Sequence, residues 1–187
     1  MRLPRYASPR AKLHAAPGTG AFKAYASWIY LAVSPIVIIA IRLSHWIAMK
    51  ARIKWVEGVS FLGESESGHA FLMDGPPEAG GRNLGMRPME TVLIGTGGCT
   101  TFDVIFILKK ARQNVTDCVV EMDAERAPTD PKFFTKIHFH FIVTGKNLNP
   151  TQVERAINLS AEKYCSASIM LAKTATITHD FEIREAQ

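Results

Sequence analysis

Cys99 and Cys165 stand 66 positions apart in a chain of 187 residues whose one other thiol is Cys118. A cysteine does chemistry as its thiolate, which is the nucleophile. Cys99 follows Gly97-Gly98 and leads into an apolar run, TTFDVIFILKK. Read locally, that places the thiol at a helix N-terminus. There the helix dipole and free backbone N–H groups favour an anion and can lower a cysteine pKa from about 8.5 towards neutral. Cys165 lies in KYCSASIML, where a helical stretch is interrupted. A second thiol adds redox chemistry if the fold brings the two Cα atoms within about 7 Å. The plain alternative for each is a small buried hydrophobe. Cys118, in TDCVVEM, reads as a structural strand residue.

Other chemistry-bearing residues carry less. His138 and His140 are two apart on one strand face, a spacing that could share a metal, but no third ligand stands out and a polar sheet face is the reading taken. The chain has no CxxC pair and no Cys/His cluster at zinc spacing, so no metal is expected. NVT at Asn114 and NLS at Asn158 match the glycosylation pattern, one at a helix end and the other within a helix, and read as chance. Three scattered cysteines do not make a disulfide framework, so the expected compartment is reducing and cytoplasmic, with any disulfide there catalytic.

The elements that must position the thiols alternate in blocks. KARIKWVEGVSFLGES reads as a strand or hairpin, with Ile53, Trp55, Val59 and Phe61 set against polar neighbours. HAFLMDG is a short strand, and PPEAGGRNLGMRP is a loop by composition. Helical residues from Met89 meet a glycine-rich interruption at Gly95–Gly98, and a helix apolar around its whole circumference follows Cys99. Such a helix is buried in a core or between subunits. DCVVEMDAER and FFTKIHFHFIVTG are strands, the second with Ile137, Phe139, Phe141 and Val143 on one face. NPTQVERAINLSAEKYCSASIMLAKTA is helical, with Thr151 and Glu154 as a T-x-x-E capping box, and TATITHDFEI is a closing strand. This order predicts an α+β fold with antiparallel sheets.

Composition bounds the function. A hydrophobic share of 47% and a charged share of 21% belong to a globular chain. The net charge of +5 comes from residues 1–48, which carry Arg2, Arg5, Arg10, Lys12, Lys23 and Arg42 and no acid. Residues 49–187 hold the remaining 16 basic residues against 17 acidic ones, so no phosphate-binding footprint exists there and no nucleic acid is expected. Residues 24–41, AYASWIYLAVSPIVIIAI, are 18 uncharged positions, the lower limit for a membrane span. Residues 1–48 are therefore either an upstream extension from a misplaced start codon, the preferred reading, or a membrane anchor or targeting segment. The domain proper is 49–187, and a membrane is a partner only if residues 24–41 are a real anchor.

The stretch P-M-E-x-V-L-x-G-x-G-G-C-x-x-x-D-V-x-x-I-L from Pro88, with L-S-A-E-K-Y-C-S around Cys165, resembles the OsmC/Ohr family of thiol peroxidases, above all its YhfA-type subgroup. The likeness runs from Met49 to about Ile183. It implies two long central helices wrapped by antiparallel β-sheets, built as an intertwined homodimer. It also implies that Cys99 attacks an organic hydroperoxide to become a sulfenic acid, and that Cys165 resolves it as a Cys99–Cys165 disulfide. A dithiol then reduces the disulfide, without metal or organic cofactor, in oxidative or osmotic stress. The family holds its thiolate with an N-terminal arginine and a glutamate ahead of the cysteine helix. Glu90 lies in the matching segment, one place from the Ohr-type position, and is the expected catalytic glutamate. The hairpin GVSFLGESESGH has no arginine; Arg87, assigned to substrate binding, or Arg82 would have to reach the site from the preceding loop. The missing arginine leaves an alternative function, a weakly catalytic or non-catalytic redox-sensing or ligand-binding protein.

Overall fold

The computed structural model describes residues 49–187, of which 51–187 form one unit; the expectations for residues 1–48 lie outside the described residues. Six strands make two three-stranded sheets. The first sheet is an antiparallel meander of β1 (Ala51–Glu57), β2 (Ser60–Ser65) and β3 (Ala70–Met73). Its first hairpin turns at Gly58, whose φ of 52° is a left-handed conformation that glycine adopts without strain. The expected hairpin and short strand are both present. Ile53 and Trp55 alternate with polar neighbours as read, but neither is covered: every residue of β1 is exposed, Ile53 by 59% and Trp55 by 64%. Among the described residues nothing covers that face.

After β3 the chain loops back around Asp74. Its carboxylate accepts from the Ser60 hydroxyl and from the backbone N–H groups of Gly75, Arg82 and Leu84. These bonds hold Asp74 down to about 2 and organise a loop that has only one 3-10 turn, Pro77–Ala79, of its own.

The second sheet holds the core. It has the order β4 (Asn114–Arg126), β5 (Phe134–Lys146), β6 (Thr176–Glu185). Ile137, Phe139, Phe141 and Val143 of β5 are buried on one face as their alternation predicts. β4 and β5 are antiparallel, but β6 runs parallel to β5, which corrects the expectation of purely antiparallel sheets. The two helical segments between β5 and β6 form a crossover that returns the chain to the end of the sheet where β5 began, and only a parallel strand can follow.

The long helix α1 (Pro88–Lys110) runs unbroken through Gly95, Gly97 and Gly98, so the expected glycine-rich interruption does not occur. Each interior glycine costs about 1 kcal/mol of helix propensity. A buried stripe of Thr96, Gly97, Thr100, Val104 and Leu108, at helical spacing against the sheet, offsets that cost. Gly97 is needed there, since a Cβ would lie 2.5 Å from the Met122 sulfur on β4. The opposite face is open, with Phe102 69% and Phe106 50% exposed. By length and composition α1 could cross a membrane, the one such helix among the described residues, but Val104 and Leu108 are fully buried in the core.

The second helical region is broken rather than long. α2 (Pro150–Leu159) opens at Asn149, whose side chain accepts from the N–H groups of Thr151 and Gln152, with Pro150 at the first helical position. The expected Thr151–Glu154 box is thus displaced by a cap two residues upstream. A wide π turn (Ser160–Tyr164) follows, then a break at Cys165, then the short α3 (Ser166–Leu171). Val153, Ala156 and Ile157 of α2 complete the core with α1 and β5.

Candidate active site

Cys99, in the middle of α1, and Cys165, at the end of the π turn, are brought side by side. Their Sγ atoms and a carboxylate oxygen of Asp103 all lie within 4.8 Å of one another. Both thiols are free, Cys99 half-buried and Cys165 with no exposed surface. Cys99 thus keeps some surface in contact with solvent and Cys165 keeps none.

Cys99 lies in the body of α1 rather than at the helix start that its local sequence predicts. Its own N–H and those of its neighbours belong to the continuous helical ladder, so no free donors of a helix terminus surround its sulfur. The thiol at a helix start is Cys165. As the cap of α3, it accepts from the Ser168 N–H at 3.4 Å and the Ser168 hydroxyl at 3.2 Å. Burial pushes the Cys165 thiol up from its ordinary value, the two Ser168 bonds pull it down, and Cys99 adds to the rise.

Asp103 escaped the sequence reading. It follows Cys99 by four residues, and a continuous helix puts such a pair on one face. That spacing was visible in the sequence, but the nearness of Cys165, which makes it a site, depends on how the π turn packs on α1. Burial pushes the Asp103 carboxyl up, opposed by the Ser160 hydroxyl 3.4 Å from Oδ2. Ser160 is itself fixed by Thr100, the two hydroxyl oxygens being 2.9 Å apart and buried. This buried pair ties the π turn to α1 and so sets the distance between the thiols. A groove of about 340 Å³ opens beside Asp103, walled by Phe102, Phe106, Ile107, Leu159, Tyr164 and Lys110.

Glu90 and Arg87 are not brought to this cluster. The Arg87 N–H donates to Glu90 Oε2 at 2.9 Å, and the Arg87 guanidinium reaches Glu90 Oε1 at 3.3 Å. The pair forms the N-terminal cap of α1, about 13 Å along the helix from Cys99. Both line a separate groove of about 410 Å³ with Met89, Leu93, Met122 and Arg126. Arg82 pairs with Glu57 at the first hairpin. Within one protomer none of the three touches a thiol.

His138 and His140 sit on the outer face of the second sheet with an acid the sequence reading did not pair with them. Asp180 Oδ1 is 2.5 Å from His140 Nδ1 and 3.4 Å from His138 Nε2, because β6 runs in parallel register with β5. These are hydrogen-bonded side chains on an exposed polar face. The Cys99–Asp103–Cys165 trio offers two sulfurs and an oxygen as donors, with no fourth side-chain donor grouped with them among the described residues. Two adjacent free sulfurs with a carboxylate suit sulfur redox chemistry better than metal binding. Cys118 is a half-buried residue of β4, the strand position expected, and its thiol is pushed up to about 11 by burial and by Asp117.

Comparison with known proteins agrees with this architecture. The sequence model of the family described as OsmC-like protein matches residues 80–180. Protein YhfA of Escherichia coli is 53% identical over 138 residues, covering 72% of this chain and 98% of that protein. A solved structure of a hypothetical protein from Aquifex aeolicus is 26% identical with a TM-score of 0.66, covering 75% of this chain and 98% of the other. A structure from Legionella pneumophila, titled as the organic hydroperoxide resistance protein OsmC, is 18% identical with a TM-score of 0.57, over 72% of this chain and 96% of the other; at that identity it shows the fold alone. With more than half its length matched and a close relative spanning nearly the whole described domain, the chain belongs to the OsmC-like protein family.

Proposed function

We propose that this protein is a cysteine-based peroxidase that reduces organic hydroperoxides, working as a homodimer in the reducing cytoplasm. The observation that carries the reading is a half-buried thiol beside a fully buried one, both unpaired and neighbours in the fold. The Cys99 thiolate attacks the terminal peroxide oxygen, the O–O bond breaks, and the alkoxide leaves and is protonated to the alcohol. Cys99 is then a sulfenic acid, which Cys165 converts to a disulfide with loss of water. A dithiol returns both thiols. Family membership supports this reading, as does the apolar groove of Phe102, Phe106, Ile107 and Leu159, which suits an organic peroxide better than hydrogen peroxide. The open face of α1 supports the dimer, because Phe102 and Phe106 can be covered by a second copy packed about a two-fold axis.

Stopped-flow consumption of cumene hydroperoxide and hydrogen peroxide by the reduced chain, with a dithiol present, tests the proposal. The expected result is faster turnover of cumene hydroperoxide, and no turnover of either would end it. One observation favours a second reading, a redox-sensing or ligand-binding protein. Arg82 and Arg87 are each engaged with a nearby acid, and among the described residues no guanidinium is paired with a group at the thiols. That reading expects sulfenate or ligand binding without sustained turnover.

A further inference from the structure

Disulfide closure needs a proton moved. Cys165 is a buried thiol, and a thiol attacks only after losing its proton. The group it displaces from sulfenic Cys99 is hydroxide, which leaves well only if it gains a proton. One side chain lies within 4.8 Å of both sulfurs and can do both jobs, the carboxylate of Asp103.

We propose that Asp103 is the proton carrier of disulfide closure, taking the proton of the Cys165 thiol and delivering it to the hydroxide that leaves Cys99. The proposal rests on the peroxidase reading and adds a residue to it. In the step, the Cys165 sulfur forms the S–S bond, the Cys99 S–O bond breaks, and its electron pair leaves with the oxygen. Cys165 is oxidised and the sulfenic sulfur of Cys99 reduced, so each ends at the disulfide level. The proton travels from Cys165 through Asp103 to oxygen, and the net products are one disulfide and one water. Asp103 ends as the carboxylate it began as.

Three observations make Asp103 suited to this. It shares a helix face with Cys99, so both move as one body. Its Oδ2 lies 3.4 Å from the Ser160 hydroxyl, which is anchored to Thr100, and this fixes the carboxylate toward the turn that carries Cys165. Its burial raises it above a solvent carboxylate, making it a stronger base for a thiol that burial has also raised. The titratable groups that face it are Cys99 and Lys110 on its own helix, Tyr164 at the end of the π turn, and Cys165 at the break that follows. None of these four is a carboxylate; among the described residues the carboxylate grouped with both sulfurs is that of Asp103.

The test separates the two chemical steps in Asp103→Asn and Asp103→Glu. Sulfenate is trapped with a cyclic dione and weighed by mass spectrometry; closure is followed as loss of free thiols, from about pH 6 to about pH 9. Asp103→Asn should slow closure on the order of a hundredfold at neutral pH and slow sulfenate formation far less. Its deficit should shrink as pH rises and solvent removes the Cys165 proton, and Asp103→Glu should recover part of the rate. A structural role would slow both steps together with a parallel pH profile, and that outcome overturns the proposal, as does closure at the unmodified rate. If the unmodified chain forms no sulfenate, the peroxidase reading fails, and closure is started instead from a mixed disulfide of Cys99 with an aryl thiol. Cys165 must still lose its proton there, so equal rates with and without the Asp103 carboxylate overturn the proposal on their own.

Discussion

Replacing sulfur by oxygen at each thiol tells the cysteines apart. Cys99→Ser should abolish peroxide consumption, while Cys165→Ser should permit a single turnover and leave a sulfenic acid detectable by mass. Cys118→Ser should leave both steps intact, since that thiol is raised to about 11 in the body of β4. Full activity in Cys99→Ser would remove the basis of the mechanism. Glu90 provides a second test, because its carboxylate caps α1 rather than meeting a thiol. Glu90→Ala should cost about 1 kcal/mol of stability by urea denaturation and leave the rate of sulfenate formation close to that of the unmodified chain. A large kinetic loss without a stability loss would restore to Glu90 the catalytic role its sequence context suggested.

Among the elements, α1 carries most of the consequences. An added Cβ at Gly97 meets the Met122 sulfur, whereas at Gly98 it meets nothing within 4 Å. In an isolated protomer Gly98→Ala should therefore raise helix stability by up to about 1 kcal/mol. If the open face packs on a second copy, Gly98→Leu should weaken association by about 1–3 kcal/mol, read as a shift toward monomer in sedimentation. Unchanged assembly in Gly98→Leu would place the contact elsewhere. The strands, the break at Cys165 and the buried row of β5 were legible because each depends on local alternation or turn chemistry. Ile137, Phe139, Phe141 and Val143 needed only a period of two. What was hidden depended on tertiary context. Three glycines read as a break, yet packing against β4 and β5 keeps α1 whole, so the thiol credited with a helix start was the wrong one. The direction of β6, and with it the meeting of His140 and Asp180, follows from how the crossover packs, which TATITHDFEI does not encode.

For the molecule as a whole, the His140–Asp180 contact gives stability a pH dependence whose sign is fixed. The hydrogen bond to Asp180 raises His140, with help from Glu182 and Glu121, so this contribution is complete below about pH 6.5 and is lost as pH rises through the raised value. Asp180 is lowered by the same partner, so its contribution is present above about pH 4 and lost as pH falls through the lowered value. Urea midpoints of the unmodified chain and of Asp180→Asn should differ most between about pH 4 and about pH 6.5 and converge at alkaline pH. A constant difference would assign the effect to something other than this pair. The proposed dimer has its own test: sedimentation at low micromolar concentration should show two copies, and an active monomer would overturn it. Finally, the sheet of β1, β2 and β3 has a first strand with no buried residue and joins the rest of the unit beyond β3 through the Asp74 loop and one bridge from Met73 to Met86. Such a piece can open without the rest, as a separate cooperative unit of low local free energy. Amide protons of β1 should then exchange with solvent long before those of β5, and a protease should cut between Arg82 and Arg87 while the core stays folded. Slowing of that exchange as protein concentration rises would make the amides of β1 a direct gauge of how many chains have found a partner.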